Sequence, residues 1–442
     1  MDRKIVKSLC TWYQSSDRKP LVIRGARQVG KTWVIRYLAQ YLNLELLELN
    51  FERNPNLISL FKDNDPAKIL VQLEAFFNKN IDLKQVLLFL DEIQAAPEIL
   101  AKLRWFAEEI PDLPVIATGS LLDFILSDYE LSVPVGRIQY LHLEPMSFEE
   151  FLLARGQNKL CDFLANYELK DKIAEVLHEK LWQLLREYVF IGGLPAAVAS
   201  WVQNQSFLAV NEIHQNLLAT YRDDFAKYAK RLSHERLQEV FQAIPRQLGK
   251  KFKYSSINQD VQSSSLKNAL NLLCQARLCH KVQACAGDGI PLEVNVKAKT
   301  FKVILLDVGL ATAAMGLTLT ERVKFDELQL LNEGGIAEQL VGQLLRVTTP
   351  YFIEPKLYYW VRDKAGAEAE VDYLIQHEAV VVPIEVKSGS TGTLRSLHAF
   401  TRLRGLAKAV RINADYPSIT PVGNYQLLSI PMYLVEQIQR FL

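Results

Sequence analysis

Cysteine is scarce in this chain: Cys10, Cys161, Cys274, Cys279 and Cys285 are the five among 442 residues. None forms a Cys-x-x-Cys pair, and the last three lack the close pairing of a zinc site. A disulfide framework and a structural zinc are therefore excluded, and the thiols read as reduced packing residues. The seven histidines are scattered without a His-Glu-x-x-His pattern. No apolar run approaches the roughly 18–20 residues that span a bilayer. The first twenty residues alternate charged with apolar side chains and lack the apolar core of a secretion signal. No membrane partner and a cytoplasmic location are the expectations. An excess of either charge is missing as well: 51 Lys and Arg face 50 Asp and Glu, for a net charge of +1. That excludes a globally basic coat, so any polyanion site must come from local clustering.

What is present is an ordinary globular balance, 49% hydrophobic and 23% charged, on a length that suggests roughly two to four domains. No internal repeat or low-complexity tract marks boundaries, but periodicity does. Short apolar runs at 21–23, 45–49, 86–90 and 115–117 alternate with amphipathic segments. Near-continuous apolar strands between helices indicate a parallel sheet covered on both faces, an α/β unit. From 147 to 232 the pattern is helical, interrupted at Gly192-Gly193-Leu194-Pro195. That break has a structural purpose, since no Lys or helix cap accompanies it to make a phosphate loop. A mixed segment follows. The last part opens with a helix at 335–346 and gives strands at 356–361, 370–375 and 380–386, a second α/β unit. The domains are read as 1–145, 146–232, 233–310 and 311–442.

Gly25-Ala26-Arg27-Gln28-Val29-Gly30-Lys31-Thr32 fits G-x-x-x-x-G-K-[ST] immediately after a strand and at the start of a helix. The glycines let backbone N–H groups curl around β- and γ-phosphates, and the helix N-terminus adds partial positive charge. Lys31 is expected to neutralise phosphate oxygens and the Thr32 hydroxyl to ligate Mg²⁺. The run 86–90 ends in Asp91-Glu92. Asp91 at that strand tip is expected to hold Mg²⁺ through water, and Glu92 to polarise the attacking water as general base. The next strand ends in Thr118-Gly119-Ser120, where a polar side chain, Ser120 among the candidates, can touch the γ-phosphate and report hydrolysis. ATP binding follows from the three strand ends together.

These residues carry a resemblance. The stretches IRGARQVGKTW, LNFERNP, LLFLDEIQAAPEIL, ATGSLLDF, VGRIQYLHLEPMSFEEFLLARG, YVFIGGLPAAV, YRDDFAKY, FKVILLDVGL, LYYWVRDKAGAEAEVDYLI and PIEVKSG span essentially the whole chain. Together they resemble bacterial and archaeal AAA-type P-loop ATPases that carry a C-terminal restriction-endonuclease-like domain of unknown function. The resemblance implies a cytoplasmic ATPase. Relatives often place an Arg after a Gly ahead of the PMSF-like segment, and Gly136-Arg137 matches. Arg137 stands either as an arginine finger toward the γ-phosphate, in cis or in trans, or as a surface or hinge residue.

Residues 226–256 carry eight Lys or Arg against two Glu, the strongest charge asymmetry in the chain. Helix starts at Ser255/Ser256 and Ser263-Ser264-Ser265, then a strand at 278–282, supply the parts of a winged helix, and the resemblance implies the same. Residues 226–282 can bind duplex DNA, with Lys250, Lys251 and Lys253 on phosphates, or serve as a packing or partner module. Only Lys267 and Asn268 face base edges on the second helix, too little for sequence readout.

At the C-terminal end, Glu370-Val371-Asp372 lies on one strand and Glu385-Val386-Lys387 ends the next. Side chains two apart on a strand share a face, so Glu385 and Lys387 point together. Asp372 and Glu385 offer hard oxygens to a second Mg²⁺ or Mn²⁺, Glu338 on the preceding helix can approach the same ion, and Lys387 can orient the attacking water. This D…E-x-K arrangement resembles restriction-endonuclease-like nucleases. Two functions stay open: an ATPase whose nucleotide state controls a winged-helix and nuclease-like module acting on DNA, or a nucleotide-switched scaffold that binds protein partners with an inactive nuclease-like domain.

Overall fold

The computed structural model describes residues 2–120, 122–126, 136–228, 233–317, 334–362, 369–389 and 393–442. It separates into two compact units: Met1–Glu144 with Gln275–Arg277 and Pro350–Glu354, and Pro145–Cys274 with Leu278–Thr349 and Pro355–Leu442. Parts of the sequence motifs, 229–232 in the basic segment and 363–368 in the C-terminal stretch, lie outside the described residues. Among the described residues no helix is long and apolar enough to cross a membrane.

The first unit is built on five strands, β1 (Leu21–Arg24), β2 (Glu45–Asn50), β3 (Val86–Asp91), β4 (Val115–Gly119) and β5 (Gln139–His142), in the order β2-β3-β4-β1-β5. Every pairing is parallel. All residues of β3 and β4 are buried, whereas edge strand β2 alternates. This is the pattern expected when helices cover both faces of the central strands. Helices Lys31–Tyr41, Pro66–Phe77 and Glu98–Glu109 follow β1, β2 and β3. The second begins where Asp65 caps the N–H groups of Ala67 and Lys68. Leu47, Leu88, Leu90, Ile99, Leu103 and Phe106 share one core cluster, and each such side chain contributes roughly 1.5–3 kcal/mol on full burial. In register, Asn50 pairs with Asp91 and Ile23 with Thr118. The carboxyl ends of β1, β2, β3 and β4 therefore finish side by side, where open α/β sheets bind ligands.

The second unit begins with helices Phe148–Ala154, Asn158–Asn166, Glu175–Ile191, Pro195–Asn204 and Phe207–Tyr228. The break at Gly192-Gly193 is a packing requirement. A Cβ on Gly193 would come within 2.0 Å of the Met146 carbonyl oxygen. The Gly193 N–H donates to buried Asp307 at 2.6 Å, and its carbonyl accepts from Met146 N–H at 2.6 Å.

Eight strands follow: β6 (Cys279–Cys285), β7 (Val296–Leu305), β8 (Leu357–Arg362), β9 (Ala369–His377), β10 (Val380–Val386), β11 (Lys408–Asn413), β12 (Ser418–Val422) and β13 (Tyr425–Pro431). They form one mixed sheet, ordered β12-β13-β11-β10-β9-β8-β6-β7. This corrects two expectations. The strand foreseen as the wing of a winged helix is β6, and it is paired on both edges, antiparallel to β7 and parallel to β8. It is an interior strand, because its residues alternate into a core that a free hairpin would leave exposed. Boundaries at 232 and 310 likewise fall inside one compact unit, since β6 and β7 join the strands that follow them in a single hydrogen-bonded sheet. Helices His234–Ala243 and Ser263–Gln275 precede β6. Lys250, Lys251, Lys253, Lys267 and Asn268 are exposed.

Candidate functional site

The loop after β1 is shaped by two glycines for different reasons. At Gly25 a Cβ would lie 2.5 Å from the Leu143 carbonyl oxygen, a backbone atom that cannot swing away. Gly30 has φ +95°, a conformation that costs glycine little. Between them run Ala26, Arg27, Gln28 (φ +66°) and Val29, and the turn delivers Lys31 and Thr32 as the first residues of helix Lys31–Tyr41.

Lys31 is buried, and its ammonium donates to the carbonyls of Gly25 (3.0 Å) and Ala26 (2.7 Å). Burial lowers its pKa to about 8, only partly opposed by the charges of Glu92 and Asp91. A cation held on neutral carbonyls at a helix N-terminus is a site short of negative charge.

Asp91, only 4% exposed at the end of β3, organises the other side. One carboxylate oxygen accepts from Thr118 Oγ1 at 2.5 Å and from the Glu92 N–H at 3.1 Å; the other accepts from Asn50 Nδ2 at 3.1 Å. Thr32 Oγ1 stands 3.3 and 3.4 Å from the two oxygens. The β-register explains this convergence, since Asn50 ends the strand beside β3 and Thr118 lies near the end of β4. A hydroxyl and a carboxylate at this separation, both hard oxygen donors, fit a Mg²⁺ ion.

Glu92 takes a left-handed backbone conformation, φ +52° and ψ +45°, immediately after the strand. Such conformations in a non-glycine residue are uncommon and concentrate at functional sites. Its carboxylate accepts from Gln94 Nε2 at 2.5 Å and approaches Ser120 Oγ at 3.5 Å, while Arg27 Nε donates to Ser120 Oγ at 3.1 Å. The structure thus brings together Lys31, Thr32, Asp91, Glu92, Ser120 and Arg27.

Arg137 has a different setting. Its guanidinium is half exposed and pairs with Glu108 at 2.7 Å, on helix Glu98–Glu109. Sequence reading passed over Asn50, and it named Thr118 only within a tripeptide. A polar residue closing an apolar strand beside the Asp-bearing strand was the available signal for both. Arg277, which belongs to the first unit, was missed too. It pairs with Asp123 at 2.5 Å and Glu354 at 3.0 Å, partners too remote in sequence to suggest it.

The C-terminal carboxylates do assemble, but around a cation of the chain's own. Lys302, the second residue of the otherwise apolar run Phe301–Leu306, is 2% exposed. Its ammonium lies 2.7 Å from Glu338 Oε2 and 3.4 Å from Asp372 Oδ1, and also contacts Glu370. The ring centroid of Tyr359 is 5.3 Å away. Asp372 also accepts from the Val386 N–H at 2.8 Å, and Lys387 Nζ donates to Glu385 Oε1 at 2.6 Å, so Glu385 and Lys387 do share a face.

Burial works against the charge on Lys302, but the three carboxylates hold its pKa well above the ordinary value. Burial and the neighbouring Asp372 push Glu338 up to about 8 and Glu385 up to about 7. Four carboxylates against two ammonium groups leave an excess of negative charge, which a retained proton relieves. The expected second metal site at Glu338, Asp372 and Glu385 is therefore corrected. Among the described residues no group of three or more His, Cys, Asp or Glu side chains is placed to hold a metal ion. The physical reason is Lys302, which already supplies the countercharge. A lysine in the buried half of a strand must have a buried partner, and Lys302 within Phe301–Leu306 was the signal in the sequence.

Comparison with known proteins agrees with the first site. Residues 17–152 match the family described as AAA domain. Residues 183–321 and 333–433 match two families described as domains of unknown function, DUF8612 and DUF4143. No curated protein matches the chain. Solved structures similar to it include the Aeropyrum pernix ORC2 protein, at 13% identity and TM-score 0.35 over 71% of this chain and 93% of that one. The Thermotoga maritima RuvB Holliday junction branch migration motor matches at 15% identity and TM-score 0.30, over 68% of this chain and 93% of that one. The S. cerevisiae Hsp104–ADP complex matches at 16% identity and TM-score 0.25, over 61% of this chain and 37% of that one. These likenesses are distant, and the family match and the site geometry carry the conclusion. Residues 17–152, which include the phosphate loop and the Asp91 carboxylate, are thus similar to AAA domains.

Proposed function

We propose that the chain is a nucleotide-driven switch that hydrolyses ATP at the loop Gly25–Thr32 and passes the nucleotide state to its second unit. The observation that carries this reading is the Asp91 carboxylate held between Thr118, Asn50 and Thr32. Backbone N–H groups of residues 25–32 cradle the phosphates. Lys31 exchanges its carbonyl partners for phosphate oxygens, gaining the negative charge its surroundings lack. Thr32 and Asp91 would hold Mg²⁺, which would supply neutralisation of phosphate charge when bound.

Glu92 accepts a proton from the attacking water, and Gln94 and Ser120 hold its carboxylate until the substrate is in place. Arg27 and Ser120 register the γ-phosphate, and its loss on hydrolysis releases them. Arg137 serves in cis or in trans only after leaving Glu108. Glu92→Gln keeps the shape and the acceptor oxygen but not the base. ATP binding is expected within a few-fold of the parent, with turnover suppressed by about 10²–10⁴-fold. Hydrolysis at the parental rate would remove Glu92 from this role.

For the second unit, the Lys302-centred carboxylates favour a scaffold that binds partners over a metal-dependent nuclease built on Asp372, Glu385 and Lys387. DNA bound non-specifically through the exposed lysines of residues 226–282 is the second reading. Lys250, Lys251 and Lys253 favour it, clustered within four residues and exposed.

A further inference from the structure

The carboxylate cluster of the second unit is the most heavily charged buried group described in the molecule, and the reading of the first unit leaves it without a task. Its geometry resolves when the donors are counted. A lysine ammonium has three N–H groups and no acceptor, and three carboxylates surround Lys302: Glu338, Glu370 and Asp372. They come from two elements. Glu338 sits on helix Gly334–Val347, and Glu370 and Asp372 stand two apart on β9, on one face. Lys302 itself comes from β7, and in the sheet order β6 and β8 separate that strand from β9. The lysine side chain therefore lies across the sheet face, over the ring of Tyr359 on β8, and ties the edge strand to the strand that bears Asp372.

Glu385, on the neighbouring strand β10, gives one oxygen to Lys387, while its other oxygen is buried with no hydrogen-bond partner. Glu338 and Asp372 thus turn hard oxygens toward one point, and the Lys302 ammonium occupies it. An inorganic cation entering here would have to displace a cation that is covalently tethered and held by Glu338, Glu370 and Asp372.

We propose that Lys302 is a built-in replacement for a divalent ion. The second unit holds its carboxylates together with this ammonium and works without a metal there; taking the ammonium away converts Glu338, Asp372 and Glu385 into a divalent-cation site. The claim is independent of ATP hydrolysis and is read on nucleotide-free protein.

The test is Mn²⁺ titration of the full chain, followed by the spectrum of free Mn²⁺. Lys302→Ala is combined with Glu370→Gln, which removes one negative charge along with the positive one so that the fold is not lost to repulsion. Circular dichroism checks that fold. The double variant should bind one Mn²⁺ about tenfold or more tightly than the parent, because the tethered cation that competes for the Glu338 and Asp372 oxygens is gone while the net charge is kept. The gained site should vanish when Asp372→Asn is added, and the thermal midpoint should rise with Mn²⁺ only where the site exists. Two results overturn the proposal: a folded double variant that gains no Mn²⁺ site, or a parent protein that binds Mn²⁺ as tightly as the variant and loses it on Asp372→Asn. The second result is decisive whether or not the variant folds.

Discussion

Replacing Thr118 by valine asks whether Asp91 is the pivot of the nucleotide site. The substitution keeps the shape of a fully buried side chain and deletes one hydroxyl, the donor 2.5 Å from Asp91. A hydrogen bond to a charged acceptor contributes about 1.5–3 kcal/mol. Asp91 retains Asn50 on its other oxygen and the Glu92 N–H on the same one, so the loss belongs at the lower end, about 1.5–2 kcal/mol. For a unit of about 150 residues, that lowers the thermal midpoint by roughly 3–8 °C.

The functional consequence is larger than the structural one. A carboxylate that positions a metal depends on its own hydrogen-bond partners, and losing one typically costs 10–100-fold in metal affinity or activity. The Mg²⁺ concentration for half-maximal ATPase should therefore rise by about 10–100-fold. ATP binding should change little, because Lys31 and the phosphate loop are untouched. Steady-state ATPase rates across a Mg²⁺ series and a thermal scan without nucleotide measure both effects. An unchanged Mg²⁺ requirement would refute the assignment of Asp91 as the residue that sets the ion's place. Loss of ATP binding would refute it equally, since the hydroxyl is argued to act through Asp91 alone.

Three further outcomes follow from the same geometry. Lys31→Ala should abolish the rise in thermal midpoint that ATP gives the parent, about 2.7 kcal/mol of stabilisation at a hundredfold excess over Kd; a variant still stabilised by ATP would exclude the lysine from phosphate binding. In the second unit, Glu385 is raised from its ordinary 4.5 to about 7 in the folded protein. Its contribution to stability is therefore complete below the unfolded value and is lost as pH rises through the folded one. The unfolding free energies of the parent and Glu385→Gln should diverge between pH 4.5 and 7, by up to about 1.4 kcal/mol per pH unit with the parent falling. Parallel curves would place the titration elsewhere. For DNA, gel shifts at several salt concentrations should show binding that weakens steeply with salt, and replacing Lys250, Lys251 and Lys253 together with alanine should reduce the slope by about 2–3. Salt-insensitive binding, or none, would leave the protein-scaffold reading.

Much of the first unit was legible because its chemistry is local. The phosphate loop is a contiguous octapeptide, and the apolar runs of β3 and β4 announce buried strands whatever lies beside them. The strand-to-polar transitions at Asp91-Glu92 and Thr118-Gly119-Ser120 then mark the sheet's carboxyl edge. Asn50 was not legible, since nothing in the residues around it says that β2 lies next to β3; only the strand order makes it a partner of Asp91. The same reason hid the fate of the expected wing, whose helices and strand are recognisable one by one. Whether a strand ends a hairpin or sits inside an eight-stranded sheet depends on β8, some seventy residues further along the chain.

The amino-acid order by itself determined which residues could bind a triphosphate, because that requires a particular turn and helix start whose φ angles and charges are fixed within a few positions. It also determined that Glu338, Asp372, Glu385 and Lys387 are the chemically able residues of the second unit. Tertiary structure alone decided what they hold. The net charge of a buried cluster is set by every group that reaches it, and the decisive group, Lys302, arrives from a strand three places removed in the sheet. Spacing along the chain carries no information about a side chain that crosses from another strand, and that is why a site that reads as metal-binding in sequence closes on an ammonium in the fold.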